Sequence, residues 1–440
     1  MTKITTLLML GMGSIQKSLI ELIKIDKNDL INLDWICICP ENIPEYIFKI
    51  KPDLHHCKLY LKDNNIDEIL NDLISDSVFV IDLTIDVDSI KVMKICKEKN
   101  ALYINSSLEQ YENTKPEGND IEKTTLYYQE KVLEKELSKV KGKHKQSQLH
   151  SFGANPGAIS SIVYYGIYEY CKKYHKDKLK LLKKGKFDIV CREILEMIHV
   201  SEIDTQEVSM KAKKNWMINS WSAHGYVEEA LDNSFLASPI VFDGYKRSKI
   251  NKHLIYSTKH SMDVKCNSVS VNHDGSSHYY EGLCITHFET VSLSDYLGIG
   301  DYTPIISYVY KSSPISRKCL DYMRDNNYKK PKNYYVFNQK DVVNKDSFDS
   351  MGCSLYFKEK DGTMRVWWCG TSLSNNQTLE LGFEYSTCTQ LQVSMSVLCG
   401  IEWIMKHRNE EVITGEEIPF NYVINRCKPY WGNFICKEMN

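Results

Sequence analysis

Over residues 5–105 short apolar runs alternate with amphipathic stretches of helical period, and this alternation constrains the fold more than any other feature of the chain. The apolar runs are TTLLML (5–10), DWICIC (34–39), CKLYL (57–61), SVFVIDL (77–83) and ALYIN (101–105). Between them lie SIQKSLIELIKI (14–25), IDEILNDLI (66–74) and VDSIKVMKICKEK (87–99). Strands separated by helices in this way form a parallel sheet with helices on both faces. The expected first domain is therefore an α/β, Rossmann-like doubly wound sheet.

The turn after the first run, LLMLGMGSIQKSLIELI, places Gly11 and Gly13 between strand and helix. Glycine at the first position permits the tight turn, and at the second it lets backbone approach a pyrophosphate. The helix N-terminus, at Ser14 and Ile15, then offers N–H groups to the anion. The third glycine of the GxGxxG pattern is absent and Gln16 stands in its place. Strand, GxG and helix in this order favour a dinucleotide site over a coincidental turn. The acid expected after the second strand is ambiguous: ICICPEN puts Cys39 there and Glu41 two residues on. Glu41 is either a ribose ligand or a surface-loop glutamate. The lack of an arginine near this turn favours NAD over NADP. Thr84, at the end of SVFVIDL, and Asn155 complete the expected cofactor-binding set.

At 440 residues the chain is too long for one small core. The expected division is a dinucleotide-binding domain over 1–152 and a substrate-binding domain over 153–440. In the second domain short runs rich in Tyr, Val and Ser (240–310) predict an α+β fold with a mostly antiparallel sheet. A long apolar-periodic helix over 386–408 is expected to pack back towards the first domain, and the last thirty residues read as a surface appendage with a final docked aromatic cluster, PYWGNF. Residues 106–150 read as a polar transition containing one helix. The net charge, 55 − 57 = −2, removes any broad attraction to nucleic acid or anionic membrane. The lysine-dense CKKYHKDKLKLLKKGK (171–186) reads as a solvated face. Fifteen scattered cysteines without a CxxC pair support neither a zinc site nor a redox pair, so no metal is expected. They read as reduced thiols of a cytoplasmic protein, and no stretch approaches the ~20 apolar residues that span a bilayer.

The segment NWMINSWSAHGYVEEALDN (215–233) sets Trp216 and Trp221 among polar residues, followed by Glu228 and Glu229. An aromatic face beside fixed carboxylates suits an organic cation, and a packed hairpin with a charged rim is the plainer alternative. In MIHVSEIDTQ, Ile198, Val200, Glu202 and Asp204 share one face of a strand. A glutamate in such a register sits at a sheet edge or in a cleft, the edge being commoner. His287, ending the run in GLCITHFET, taken alone is a structural histidine, and Asn155 in SFGANPG taken alone is a helix N-cap.

Together these segments say more. LGMGSI, INSSLE, GANPG, HVSEIDTQ, NSWSAHGYVEE, ITHFET and TQLQVSMSVLCG follow one another in order. The series resembles bacterial-type homospermidine synthases, of the saccharopine dehydrogenase-like group, from roughly residue 5 to 432. The resemblance implies a homodimer that uses one bound NAD twice. Putrescine is oxidised to an imine, ammonia leaves, a second amine (putrescine or spermidine) attacks, and the new imine is reduced. It implies that Trp221 faces the substrate cation, that Glu202 and Glu229 grip amine groups, and that His287 lies near the reacting carbon. Asn155 and Glu109 line the same pocket. Trp216, at the other alternation parity, is expected in the core. The chain departs from the pattern at Gln16, and at Gln110–Tyr111, where a Pro–Trp pair is frequent. The neighbouring chemistry in the group, carboxynorspermidine or saccharopine-type reductive condensation with NADPH, needs an arginine clamp for a carboxylate. A second alternative is an inactive homologue that binds polyamines.

Overall fold

Four of the five amino-terminal apolar runs are strands within a residue or so of their expected bounds: β1 (Thr6–Leu10), β2 (Asp34–Ile38), β4 (Val78–Asp82) and β5 (Leu102–Asn105). The exception is CKLYL. There β3 covers only His55–Cys57, and the chain then leaves the sheet with Tyr60 65% exposed. β3 pairs with β2 alone and is an edge strand, where short pairing is the rule. This computed structural model describes residues 2–85, 87–110, 121–140 and 146–439, so Tyr111 lies outside the described residues.

The described residues form two compact units, Met1–Gly157 with Gln390–Ile418, and Ala158–Thr389 with Pro419–Asn440. The first contains a seven-stranded parallel sheet in the order Val412–Ile413, β6 (Gln148–Leu149), β5, β4, β1, β2, β3. All five residues of β4 are buried, as a strand covered on both faces must be. From Gln390 onward the helix Cys388–Lys406 belongs to this unit. A Cβ on its Gly400 would lie 2.7 Å from Phe152 and 2.9 Å from both Ile104 and Leu149, so only glycine admits this close approach. Two polar ties, Ser18–Ser394 at 2.9 Å and Asn28–Glu402 at 2.7 Å, hold the same helix to the start of the chain.

The second unit is built on a ten-stranded mixed sheet, with the helix Ala158–Tyr174 packed on it. Its strands are β7 (Leu195–Asp204), β9 (Asn233–Ala237), β10 (Tyr245–Arg247), β11 (Leu254–His260), β12 (Lys265–Val271), β13 (Ser277–Ile285), β14 (Ile305–Lys311), β16 (Phe348–Lys358), β17 (Met364–Ser374) and the C-terminal Asn433–Glu438. A separate two-stranded ribbon joins β8 (Trp216–Asn219) to β15 (Asn333–Val336). In the large sheet only β7 and β14 run parallel; the remaining pairs are antiparallel. This is the α+β architecture expected from the short Tyr/Val/Ser runs.

Two expectations fail. The carboxy-terminal residues are no mere appendage: Trp431 of the aromatic cluster is docked as expected, fully buried, but Asn433–Glu438 also adds an edge strand to β17. The pairing rests on Phe434, Ile435 and Cys436, whose contribution was hidden by the surrounding lysines and asparagines. Trp216 is half-buried rather than core, because it opens the short ribbon strand β8 and carries the Lys213 ammonium 5.1 Å above its ring.

β16 and β17 meet at a tight crossing of Gly352 and Gly370. A Cβ on Gly352 would lie 2.6 Å from Cys369 O, Gly370 Cα and Trp368 Cζ2. The buried indole of Trp368 fills the space that two side chains would need. Gly352→Ala is therefore expected to destabilise the second unit by about 1–3 kcal/mol, seen as a lower Tm by calorimetry. An unchanged Tm would mean that the two strands separate without cost.

Candidate active site

In the first unit the chain runs β1, β2, β3 to one side of the sheet and then crosses to β4, β5, β6 on the other. The C-terminal end of β1, beside β4, is thus the topological switch point, where open α/β sheets bind ligands. Gly11 occupies it at φ +85, with its N–H bonded to Ile38 O at 2.9 Å. A Cβ there would approach Leu83 O and Thr84 Cγ2 at 3.2 Å. Gly13 caps the helix Ser14–Ile25 without any side-chain bond to its first turn, and a Cβ on it would meet nothing within 4 Å. Open space in front of uncapped N–H groups at Ser14 and Ile15 fits a phosphate. Thr84 faces the same turn, and both its N–H and its hydroxyl donate to Asp82 Oδ1, at 3.2 and 2.6 Å.

Gln16, in place of the third glycine, is buried with both amide atoms lacking a protein hydrogen bond. Glu41 is exposed, and its charge acts on the half-buried Lys17. Burial lowers the Lys17 pKa, against which Glu41 and Cys39 pull upward. Glu109 accepts from the Ser107 hydroxyl at 2.8 Å, and its backbone N–H donates to Ser89 Oγ at 3.0 Å. Asn155 is half-buried in a turn closed by Gly153 N–H on Pro156 O at 2.6 Å. The following helix starts at Ala158, so Asn155 stands ahead of the capping position rather than in it.

The second unit brings Glu202, Trp221, Glu229 and His287 together. β7 is no edge strand; it lies between β14 and β16 in the middle of the sheet, so Glu202 is held inside. Its Oε2 accepts from the Tyr308 hydroxyl at 2.9 Å, and Tyr310 lies beside it in register on β14. Tyr310 in turn accepts from Trp221 Nε1 at 3.2 Å, which fixes the indole. The rings of Tyr308 and Tyr310 stack at 5.8 Å, and Tyr226 meets Tyr310 edge-on at 5.5 Å.

Ser222 caps the helix Ala223–Leu231 by accepting from Gly225 N–H at 3.0 Å. That phase points Glu229 towards His287, 3.9 Å from its Nε2, and Glu228 towards Lys330, 3.4 Å from its ammonium. Glu229 Oε2 is buried without a hydrogen-bond partner. His287 precedes the helix Phe288–Leu297, packs on Tyr308 at 4.4 Å and hydrogen-bonds through Nδ1 to the buried Glu289.

These groups set each other's protonation. Burial raises Glu229 to about 8; His287 opposes this and the charges of Glu202, Asp232 and Glu289 reinforce it. Burial alone would lower His287, but Glu289, Glu229 and Glu202 outweigh it and raise the imidazole to about 9. One strand pair further on, Asp204 and Asp349 face each other across β7 and β16. Burial raises Asp204 to about 6 against hydrogen bonds from Gln206 N–H and the Ser220 hydroxyl. It raises Asp349 well above the usual range, with Glu202 and Asp204 adding to the shift.

Five of these residues were not singled out from the sequence: Tyr226, Glu289, Tyr308, Tyr310 and Asp349. The spacing of Tyr308 and Tyr310 in IISYVYK, matching the two-residue spacing of Glu202 and Asp204, was a usable sign. Asp349 carries no such mark. Among the described residues no group of three or more His, Cys, Asp and Glu side chains could hold a metal, and no helix is long and apolar enough to cross a membrane.

A parallel sheet with a glycine turn at its switch point is a Rossmann-type fold, and a separate cluster of carboxylates and aromatic rings lies in the second unit. The family model that matches is the saccharopine dehydrogenase NADP binding domain, over residues 7–143. Over nearly the whole chain the similarity is to homospermidine synthases. The protein of that name from Mesorhizobium japonicum is 24% identical, covering 96% of this chain and 88% of its own length. The one from Blastochloris viridis is 23% identical over 98% of this chain and 90% of its own. The crystal structure of homospermidine synthase from Legionella pneumophila in complex with NAD superposes with a TM-score of 0.84 at 22% identity, covering 99% of this chain and 91% of that one. Saccharopine dehydrogenase from Saccharomyces cerevisiae shares the fold more distantly, with a TM-score of 0.56 and 12% identity, over 99% of this chain and 100% of that one. The resemblance read from the motif series is borne out.

A carboxyl group held near 8 accepts a proton only once ionised. kcat/KM for a diamine is therefore expected to rise with pH up to about 8 and then level, through Glu229. Glu229→Gln should remove this limb and most of the activity, while Glu228→Gln, at a surface ion pair, should change kcat/KM by no more than about two-fold. A limb that survives in Glu229→Gln would assign the titration to another group.

Proposed function

We propose that this chain is an NAD-dependent homospermidine synthase, which transfers an aminobutyl group from one putrescine to a second amine and releases ammonia. One observation carries the reading: Glu202, Glu229, Glu289, Asp204 and Asp349 are gathered around Trp221, Tyr308 and Tyr310, with His287 as the imidazole among them. Such a site has a surplus of negative charge and an aromatic wall. It takes a small organic dication.

Putrescine is that dication at neutral pH, since alkyl ammonium groups have pKa values near ~10. A hydride leaves carbon only when the attached nitrogen is neutral, so one amine must lose its proton while the other stays charged. Glu229, with one carboxylate oxygen buried and unpartnered, is placed to take that proton. Glu202, ordered by Tyr308, is placed to hold the charged end. His287, fixed through Nδ1 by Glu289, presents Nε2 towards Glu229 and passes protons to and from the departing and entering amines.

NAD held by the Gly11–Ile15 turn supplies a hydride acceptor for the first half of the reaction and a hydride donor for the second, with no net consumption. In between, the cationic carbon–nitrogen centre is stabilised by the face of Trp221, a contact worth about 0.5–2 kcal/mol. The second amine adds to the iminium carbon, ammonia leaves from the resulting aminal, and reduction of the new iminium gives homospermidine. The reading includes small polyamines as partners, a homodimer as the assembled form and the cytoplasm as the location, as the resemblance implies. The carboxylated-substrate alternative finds little support. Arg317, the arginine whose charge acts on Asp204, is on the exposed side of its helix and is no buried clamp.

Purified protein given putrescine and a catalytic amount of NAD should accumulate homospermidine and ammonia with no net NADH, as read by mass spectrometry and absorbance. Product that requires stoichiometric NADPH and a carboxylated aldehyde would overturn this. The aromatic role is tested by Trp221→Phe and Trp221→Leu. Phenylalanine keeps a π face and leucine keeps only apolar area, so turnover should be clearly higher in the phenylalanine variant at similar Tm. Equal turnover in the two variants would reduce Trp221 to a wall of the site.

A further inference from the structure

A chain of buried polar side chains crosses the first unit beneath the switch point, in the middle of an apolar core. Asp82 ends β4, with Leu10 beside it on β1 and Asn105 beside it on β5. Its Oδ1 accepts both the N–H and the hydroxyl of Thr84, and its Oδ2 accepts from the Tyr103 hydroxyl at 2.8 Å. Tyr103 Oη accepts in turn from Asn105 Nδ2 at 2.9 Å. Asn105 Oδ1 accepts from Ser151 N–H at 2.7 Å, and Asn105 O accepts from Phe152 N–H at 2.9 Å. Asp82, Tyr103, Asn105 and Ser151 are each no more than 3% exposed.

Each end of this chain terminates on backbone. At one end is Thr84, which packs against Gly11 at the phosphate-binding turn. At the other is the 151–157 turn that carries Asn155. Both lie at the C-terminal edge of the parallel strands, where a dinucleotide is bound. Packing alone does not account for the chain. The surrounding residues Leu8, Leu10, Val80 and Cys96 are fully buried and apolar, and residues of matching volume would fill the same space without any desolvation penalty. A hydrogen-bonded series is directional, and it fixes the positions of both end groups together.

We propose that Asp82, Tyr103 and Asn105 form a positioning relay that sets the two rims of the dinucleotide cleft, with the Tyr103 hydroxyl as its hub. This rests on the dinucleotide-binding reading above. The relay touches neither substrate nor reacting atoms. It holds Thr84 and the Asn155 turn where the cofactor meets them. Burial raises the Asp82 carboxyl, and the Thr84 and Tyr103 bonds draw it back down, so loss of either donor also disturbs its charge.

Tyr103→Phe removes one oxygen and keeps the ring. NAD affinity of the full-length protein, titrated calorimetrically, should fall by about ten-fold or more, as expected when one buried hydrogen bond is lost and its partners are orphaned. KM for putrescine at saturating NAD should change less than NAD affinity does, because Glu202, Trp221, Glu229 and His287 lie in the second unit and the relay lies in the first. Thr84→Val cuts the relay at its end. If the two residues act through one chain, the double variant should bind NAD little worse than the weaker single variant; independent effects would multiply. Tyr103→Phe binding NAD like the wild type, or losses that multiply, would overturn the relay. A Tm decrease with unchanged NAD affinity would reduce it to a structural element. Failure of the wild-type protein to bind NAD would instead defeat the dinucleotide reading itself, a result distinct from all of these.

Discussion

A carboxylate placed in the middle of a sheet must be answered by a proton, a hydrogen-bond donor or a cation, and this demand organises the second unit. Leaving one such charge uncompensated costs several kcal/mol. Glu202 and Asp204 are carried by β7, between β14 and β16, and Asp349, Glu229 and Glu289 converge on the same region. The protein supplies three kinds of answer. Tyr308, Ser220 and Thr389 hydroxyls donate to Glu202, Asp204 and Asp349. Burial pushes the carboxyls of Asp204 and Asp349 up, which favours their protonated forms. His287, raised to about 9, adds one imidazolium. The surplus that remains suits cations, and the diamine of the proposed reaction would deliver two of them at the spacing of a four-carbon chain.

The aromatic residues serve the same demand. Tyr308 and Tyr310 are fully buried phenols whose hydroxyls are used, one towards Glu202 and the other as acceptor for the Trp221 indole. A phenylalanine at either place would pack equally well but would leave a buried partner unsatisfied. Tyrosine therefore couples the carboxylate to the aromatic wall. The indole is held by its N–H, so its face is presented at a fixed angle instead of sampling rotamers. In the proposed reaction the charge exists only between hydride departure and return, and stabilising so transient a cation requires this preorganisation.

Most of the fold could be read from the chain. Local period and glycine placement specify a parallel sheet with its switch point at Gly11, because the central strands β1, β4 and β5 are buried on both faces and announce themselves as apolar runs. What escaped was decided by pairing partners rather than by local pattern. CKLYL has the composition of a strand but stands at the sheet edge and keeps only His55–Cys57. The last residues lack an apolar period yet pair with β17, because an edge strand needs just one neighbour and one buried face. Val412–Ile413 extends the parallel sheet with two residues, too short a run to carry any pattern.

The site was legible to the extent that its residues lie in motifs. Glu202, Trp221, Glu229 and His287 meet in the second unit although 85 residues separate the first from the last, while Glu109 and Asn155 belong to the first unit. The unread residues are those whose role arises only from register. Tyr308 meets Glu202 because β14 runs parallel to β7 with Tyr310 opposite Glu202, a register that no local window of sequence contains. Asp349 meets Asp204 for the same reason on the other side. The choice between Glu228 and Glu229 was also structural, and here a local feature decides it. Ser222 caps the helix and so sets its phase; at about 100° per residue, from 3.6 residues per turn, adjacent glutamates cannot face the same side. The cap places Glu229 beside His287 and hands Glu228 to Lys330. The helix phase thus decides which of two adjacent glutamates faces His287 and is raised in pKa, and which pairs with a lysine.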